Sequence, residues 1–405
     1  MKNKLSQIHI RNFSTSHNLQ ELAIFLLPLI FILSHQFYKN LYQSIPFWIV
    51  IILGLVLLPV AYQQIKKPAF RKAVIIFLTY LIALIISCLF STNILLSLPV
   101  LFLNISYFVI FLASGKILNT QRRREIFVLM FIAVVTFLSA VSFYNIFFKS
   151  YNNLTSEGLS FMWPYFGHNH LAVLLILAIP LSIYYLWFSV KYLKILFFIL
   201  LSFFLYSFLI SFSRGAILAL ILAIVLVAII FHKTYLSKLN FTKILLSGLL
   251  LVLLGISLLL IMERKSLKSF YTRTIYFQKG IEMSIQRPIT GFGLGTFNET
   301  IIKNYPTNKG AFYVHNLFVQ NLAEGGSVLF LSTIILFSGL MINSLKVINQ
   351  ISQTKVKLFY ISLWIGLAGI LINEMGDFDL QLPAVGVLFW LVESLFYFQK
   401  ANDET

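Results

Sequence analysis

Only 11% of the 405 residues are charged and 59% are hydrophobic, against roughly 25% charged residues in soluble domains. No soluble fold of this length buries so much apolar surface, so the chain is built for a bilayer. The formal charge of +18 would suggest nucleic acid in a soluble protein, but Lys and Arg in short loops are a topology signal here, and no nucleic-acid partner is expected.

Apolar runs long enough to span a bilayer, about 17 to 25 residues, occur twelve times, near 21–37, 45–63, 72–91, 94–115, 125–147, 169–189, 193–212, 215–232, 243–262, 316–344, 357–374 and 382–398, the tenth interrupted by Glu324-Gly325-Gly326. The expected fold is therefore an all-α polytopic membrane protein forming a single membrane domain over 1–405. The basic N-terminal stretch shows no small-residue cleavage site after its first apolar run, so no removable signal peptide is expected. Cys88, the one cysteine, lies inside an apolar run and gives neither a disulfide framework nor a thiolate metal site.

Alternate loops carry the positive charge: Lys66, Lys67, Arg71 and Lys72, then Lys116 and Arg122 to Arg124, then Lys191 and Lys194, and finally Lys346, Lys355 and Lys357. This bias places that side, with both termini, in the cytoplasm. The opposite side then holds Phe166-Gly167-His168-Asn169-His170 at the start of the sixth span and Arg214 at the end of the seventh. It also holds Glu374, Asp377 and Asp379 between the last two spans, and the long polar segment 263–315.

That segment far exceeds ordinary loop lengths. Phe270, Ile275, Phe277, Ile281 and Ile285 fit a helical stripe, predicting an interfacial helix over about 269–286 that ends before Pro288. GFGLG, residues 291–295, predicts a turn, and 296–305 a second short helix. The glycines lack the strand context of a dinucleotide fingerprint and the Lys-Ser/Thr of a phosphate loop.

Several residues carry chemistry. Arg214, flush against two apolar runs, is either a headgroup anchor or a binder of lipid-linked phosphate through its fork of donors. Arg273 and Arg287 suit a second contact to a diphosphate, or are charges on a wet helix face. His315 has the right basicity to take a proton from a sugar hydroxyl. Asn316 would orient it or bind a substrate hydroxyl. Glu324, inside an apolar run, needs a partner, either His315 or an arginine. His168, Asn169 and His170 suggest a polar collar for a sugar. A His-x-His metal site with Asp377 and Asp379 lacks dedicated spacing, so no metal is expected.

Arg214 in SRGA, Arg273 ahead of RPITGFGLGTF, and HNLFVQNLAEGG together resemble the core of the O-antigen ligase and O-antigen polymerase family over roughly 165–330. FGHNHLA resembles a further family element but departs from it at His170. The resemblance implies a bacterial inner-membrane glycosyltransferase of the C type (GT-C), with its site facing the periplasm and no cofactor or metal. It would transfer a glycan from an undecaprenyl-diphosphate carrier to a sugar hydroxyl of lipid A-core, with inversion. Residue by residue, Arg214 and Arg273 would bind the diphosphate and His315 would activate the acceptor, with Arg287 in reserve as the second arginine. The polymerase branch would use the same donor and join it to another carrier-linked repeat. A flippase or exporter of lipid-linked sugars is the reading from a different class; broken helices, midplane charges and internal repeats would favour it.

Overall fold

The computed structural model describes residues 15–32, 44–144, 168–231, 266–304 and 313–397. The expected ninth span, 243–262, lies outside the described residues, as does the side chain of His168. The helices are α1 (Thr15–Leu26), α2 (Ile45–Ile65), α3 (Pro68–Leu89), α4 (Ile94–Ile117), α5 (Gln121–Tyr144), α6 (His168–Phe188), α7 (Lys191–Ile210), α8 (Arg214–Ile230), α9 (Ser266–Gln286), α10 (Phe297–Asn304), α11 (Leu317–Gln350), α12 (Thr354–Asn373) and α13 (Pro383–Ser394). Among the described residues, eight helices are long and apolar enough to cross a membrane, and three shorter apolar helices accompany them. The protein is an all-helical polytopic membrane protein.

The helix ends obey local chemistry. Ser44, Asn93 and Asn316 cap α2, α4 and α11 by accepting backbone N–H groups through their side chains. Proline opens α3 and α13, where its missing N–H costs nothing.

α6 is the central helix, buried over 78% of its apolar window, whereas α7 is buried over only 22% and presents its remaining apolar surface outward. α6 packs closely on α12 because glycines allow it. A Cβ on Gly366 would lie 2.3 Å from Leu177, and one on Gly369 would lie 2.5 Å from Ile176. Small residues at such crossings let helix backbones approach in a membrane, where apolar surface alone gives no drive. This contact fixes the start of α6 beside the loop that follows α12.

The tenth expected span is interrupted at Glu324-Gly325-Gly326, as its sequence predicts. α11 is broken at Gly326, with φ 64° and ψ −166°, a conformation almost confined to glycine. The spanning portion begins after Gly326, and Leu317–Gly325 belongs to a separate layer with α9 and α10. The RPITGFGLG segment crosses this break. Ser327 N–H donates to Pro288 O (2.7 Å), and Gly293 N–H donates to Glu324 O (2.7 Å). At the crossing Gly291 has φ 65°, and a Cβ there would meet the Glu324 backbone at 2.3 Å. The α3–α4 connection joins in, with Thr92 N–H donating to Phe292 O (2.8 Å). The glycine turn is thus a joint between the layer and the bundle.

Candidate active site

The polar features do converge at one end of the bundle, opposite the basic loops. Asp377, in the short connection between α12 and α13, is the centre. Its side chain is 5% exposed. Asn169, at the start of α6, donates to Asp377 Oδ2 (3.1 Å). Arg273, from α9, places Nη2 3.3 Å from the same oxygen and donates from Nη1 to Gly376 O (2.7 Å). His315 sets Nδ1 3.1 Å from Asp377 Oδ1.

Burial alone would raise the Asp377 carboxyl. The hydrogen bond from His315 and the charges of Arg273, His315 and His170 outweigh it and hold the carboxyl at about 2. A carboxylate accepts, so His315 donates from Nδ1, which turns Nε2 away from Asp377. The ring is 25% exposed while its partner is buried, so one side of it is accessible. His315 also has φ 60°, in the left-handed region, where non-glycine residues are uncommon and cluster at functional sites. Flanking bonds hold it there: Val314 N–H donates to Gln320 Oε1 (2.7 Å) and Leu317 N–H donates to Glu374 O (2.9 Å). The ring lies against Tyr276 and edge-on to Phe378, 4.8 Å between centroids in the latter pair.

A second histidine–carboxylate pair lies behind the first. His170 Nδ1 hydrogen-bonds Asp379, whose other oxygen accepts from Asn373 Nδ2 (2.8 Å). Both partners are buried. Burial and the neighbouring Asp377 raise the Asp379 carboxyl against the opposing pull of His170. Glu374, wholly buried, is pushed well above the usual range by burial and by Asp379. Its Oε1 accepts Leu380 N–H (3.0 Å).

Arg214 opens α8, half-buried. A Cβ on the adjacent Gly215 would lie 3.1 Å from Asn373 Oδ1, which puts the start of α8 next to the second pair. The free N–H groups at a helix start and a guanidinium both favour an anion. Arg273 commits two N–H groups to protein acceptors out of five.

The other expected site residues are placed differently. Arg287 lies just past the far end of α9, about 20 Å along the helix from Arg273 at 1.5 Å per residue. It donates to Phe90 O (3.4 Å) and sits over the Phe292 ring (4.8 Å), so the two arginines do not meet on one diphosphate. Asn316 gives its whole carboxamide to the backbone: Oδ1 accepts Val319 N–H (3.0 Å), and Nδ2 donates to Met375 O (2.8 Å). Among the described residues, Glu324 pairs with neither His315 nor an arginine. It accepts Gly295 N–H (2.9 Å), Phe297 N–H (3.2 Å) and Gln320 Nε2 (2.6 Å), so it fastens the glycine turn and the start of α10. His170 is enclosed by its pairing. Sequence reasoning placed Asp377 in the polar cluster and weighed it only as a metal ligand, not as a member of the transfer site. Its signal was the clustering of three acids within 374–379 in a chain with only 13 Asp and Glu.

Residues 196–334 match the family model described as O-antigen ligase, and the chain is O-antigen ligase-like over that stretch. The match spans Arg214, Arg273 and His315 and stops short of Asp377. It supports glycosyl transfer of the O-antigen ligase or polymerase type. No curated protein matches the chain.

Proposed function

We propose that this O-antigen ligase-like protein moves a glycan from an undecaprenyl-diphosphate carrier onto a sugar hydroxyl of a second lipid-borne saccharide, lipid A-core in the ligase branch. The reaction takes place on the periplasmic face of the bacterial inner membrane. The observation that carries this reading is the triad of His315, Asp377 and Arg273, with a base and a guanidinium held on one buried carboxylate.

The acceptor hydroxyl gives its proton to His315 Nε2 as its oxygen bonds to the anomeric carbon. The bond from that carbon to the phosphate oxygen breaks on the opposite face, which inverts the configuration. Diphosphate is a good leaving group, so the requirement is positive charge where negative charge builds up. Arg273 and Arg214 supply it from fixed positions. Asp377 keeps His315 in the reactive tautomer, as a carboxylate orients a histidine base elsewhere. Asn169 and Arg273 hold Asp377 in turn. The gathering of these groups at one end of the bundle supports surface chemistry over a conduit.

The test is transfer by purified protein, with lipid A-core and a second carrier-linked repeat offered as rival acceptors. His315→Ala abolishes product while the protein remains inserted and folded; near-native product would remove His315 as the base. Preference for the carrier-linked repeat would make the enzyme a polymerase.

A further inference from the structure

A cavity of about 510 Å³ lies on the other side of the Tyr313–Phe378 ring stack, whose centroids are 4.4 Å apart. Its size falls within the roughly 300–1,000 Å³ of small-molecule sites. Tyr313, Leu317 and Leu380 form the shared wall, and each is within two residues of His315, Asn316 or Asp379. Its lining runs along α4 from Leu96 to Tyr107, about 16 Å at helical rise, so the cavity descends from the loop layer into the bundle.

Its polar content is unusual for that depth. Tyr107 is 3% exposed, and its hydroxyl has no hydrogen-bond partner among the described residues. Gly386 makes room for it, since a Cβ there would lie 2.4 Å from the hydroxyl. Phenylalanine would fill the same space without an unmet polar group, and polar groups held in a membrane interior are a mark of function. Nearer the mouth, Asn298 Oδ1 is also buried and unpartnered. The charges on the lining are mostly spent: Glu324 on the glycine turn and Glu299 on Asn93. What remains is the exposed Lys303 at the rim and, deeper, apolar walls carrying neutral donors and acceptors beside the Trp390 and Tyr313 rings.

We propose that this cavity is a second saccharide site, taking an uncharged, hydroxyl-bearing sugar unit. Tyr107 and Asn298 are its recognition groups and Trp390 is one of its ring faces. Its role in transfer rests on the proposed function. The sugar comes either from the acceptor or from the distal part of the donor glycan, and both present the same chemistry.

The experiment uses the full-length protein in nanodiscs, with methyl glycosides of glucose, galactose, rhamnose and N-acetylglucosamine as probes and dodecanol as the apolar rival. At least one glycoside produces a saturable change in tryptophan fluorescence that Trp390→Phe removes. Tyr107→Phe combined with Asn298→Leu weakens that binding roughly tenfold or more. No saturable response to any glycoside, or a response to dodecanol alone, overturns the proposal. In transfer assays the double variant raises KM for the acceptor if the sugar is the acceptor's, and for the donor if it is the donor's. Unchanged KM for both overturns the role. Glycoside binding is also measured on His315→Ala. Binding there, with transfer also surviving that substitution, sinks the base assignment alone, while no binding to the native protein sinks the cavity alone.

Discussion

Asp377 and Glu374 are three residues apart, both buried, and pushed in opposite directions by what surrounds them. His315 and Arg273 hold Asp377 ionised, while Glu374 has Asp379 for a neighbour and its carboxyl is raised. A lowered carboxylate contributes stability that is present above its unfolded value, near 3.8, and lost as pH falls through about 2. Asp377→Asn therefore destabilises the protein at neutral pH, and its deficit shrinks towards pH 2. Glu374 follows the opposite sign: its neutral form is favoured below the ordinary value of 4.5, and the benefit fades as pH rises through the folded value. Glu374→Gln is thus neutral or stabilising at alkaline pH. Thermal unfolding in detergent, compared between about pH 5 and about pH 9, reads both signs for Glu374. Arg214→Lys keeps charge but loses the planar fork. On the proposed reaction it lowers kcat/KM by more than about tenfold, and unchanged turnover would return Arg214 to a headgroup anchor. Arg214, Arg273 and His315 were legible as reactive residue types among apolar runs. The hub was not, because Asp377 meets Arg273 and His315 across 104 and 62 residues of chain, a pairing with no local pattern.

At the scale of elements, hydropathy located the spans among the described residues well because lipid imposes a length on each one. It also marked the interruption of α11 at Glu324-Gly325-Gly326, though not its geometry. Composition registers hydropathy, whereas Gly326 acts through a φ/ψ value only glycine holds at low cost. The GFGLG turn was legible as a turn, but its attachment to the break depended on tertiary hydrogen bonds. Gly326→Ala places a Cβ 2.2 Å from Ile289 O and adds about 1–3 kcal/mol of backbone strain. It should lower the unfolding temperature and depress transfer together. A native unfolding temperature would show that the crossing yields without strain.

For the whole molecule, the distribution of charge and the convergence of polar groups agree on two distinct ends. The bundle carries Lys355 at the basic end, exposed, and Ile302 in the α10 layer, 51% exposed. If the basic end faces the cytoplasm, a membrane-impermeant maleimide applied to intact bacterial spheroplasts labels Ile302→Cys and spares Lys355→Cys until the membrane is permeabilised. Labelling of Lys355→Cys alone would invert the orientation and remove the periplasmic assignment.

The break at Gly326 has a consequence for what the enzyme can measure. His315 stands on a layer laced to the first turn of a membrane span by the Ser327–Pro288 bond and to the α3–α4 connection by the Thr92–Phe292 bond, so its height above the bilayer is set by the spans. A carrier phosphate is likewise held at the membrane surface by its lipid. On the proposed reaction the base and the scissile bond are therefore gauged from the same plane. The sugar next to the phosphate is always the one presented, however long the glycan that trails from it. Such an enzyme is indifferent to polymer length and selective only for the first linkage, so chains of every length would be joined through the same bond.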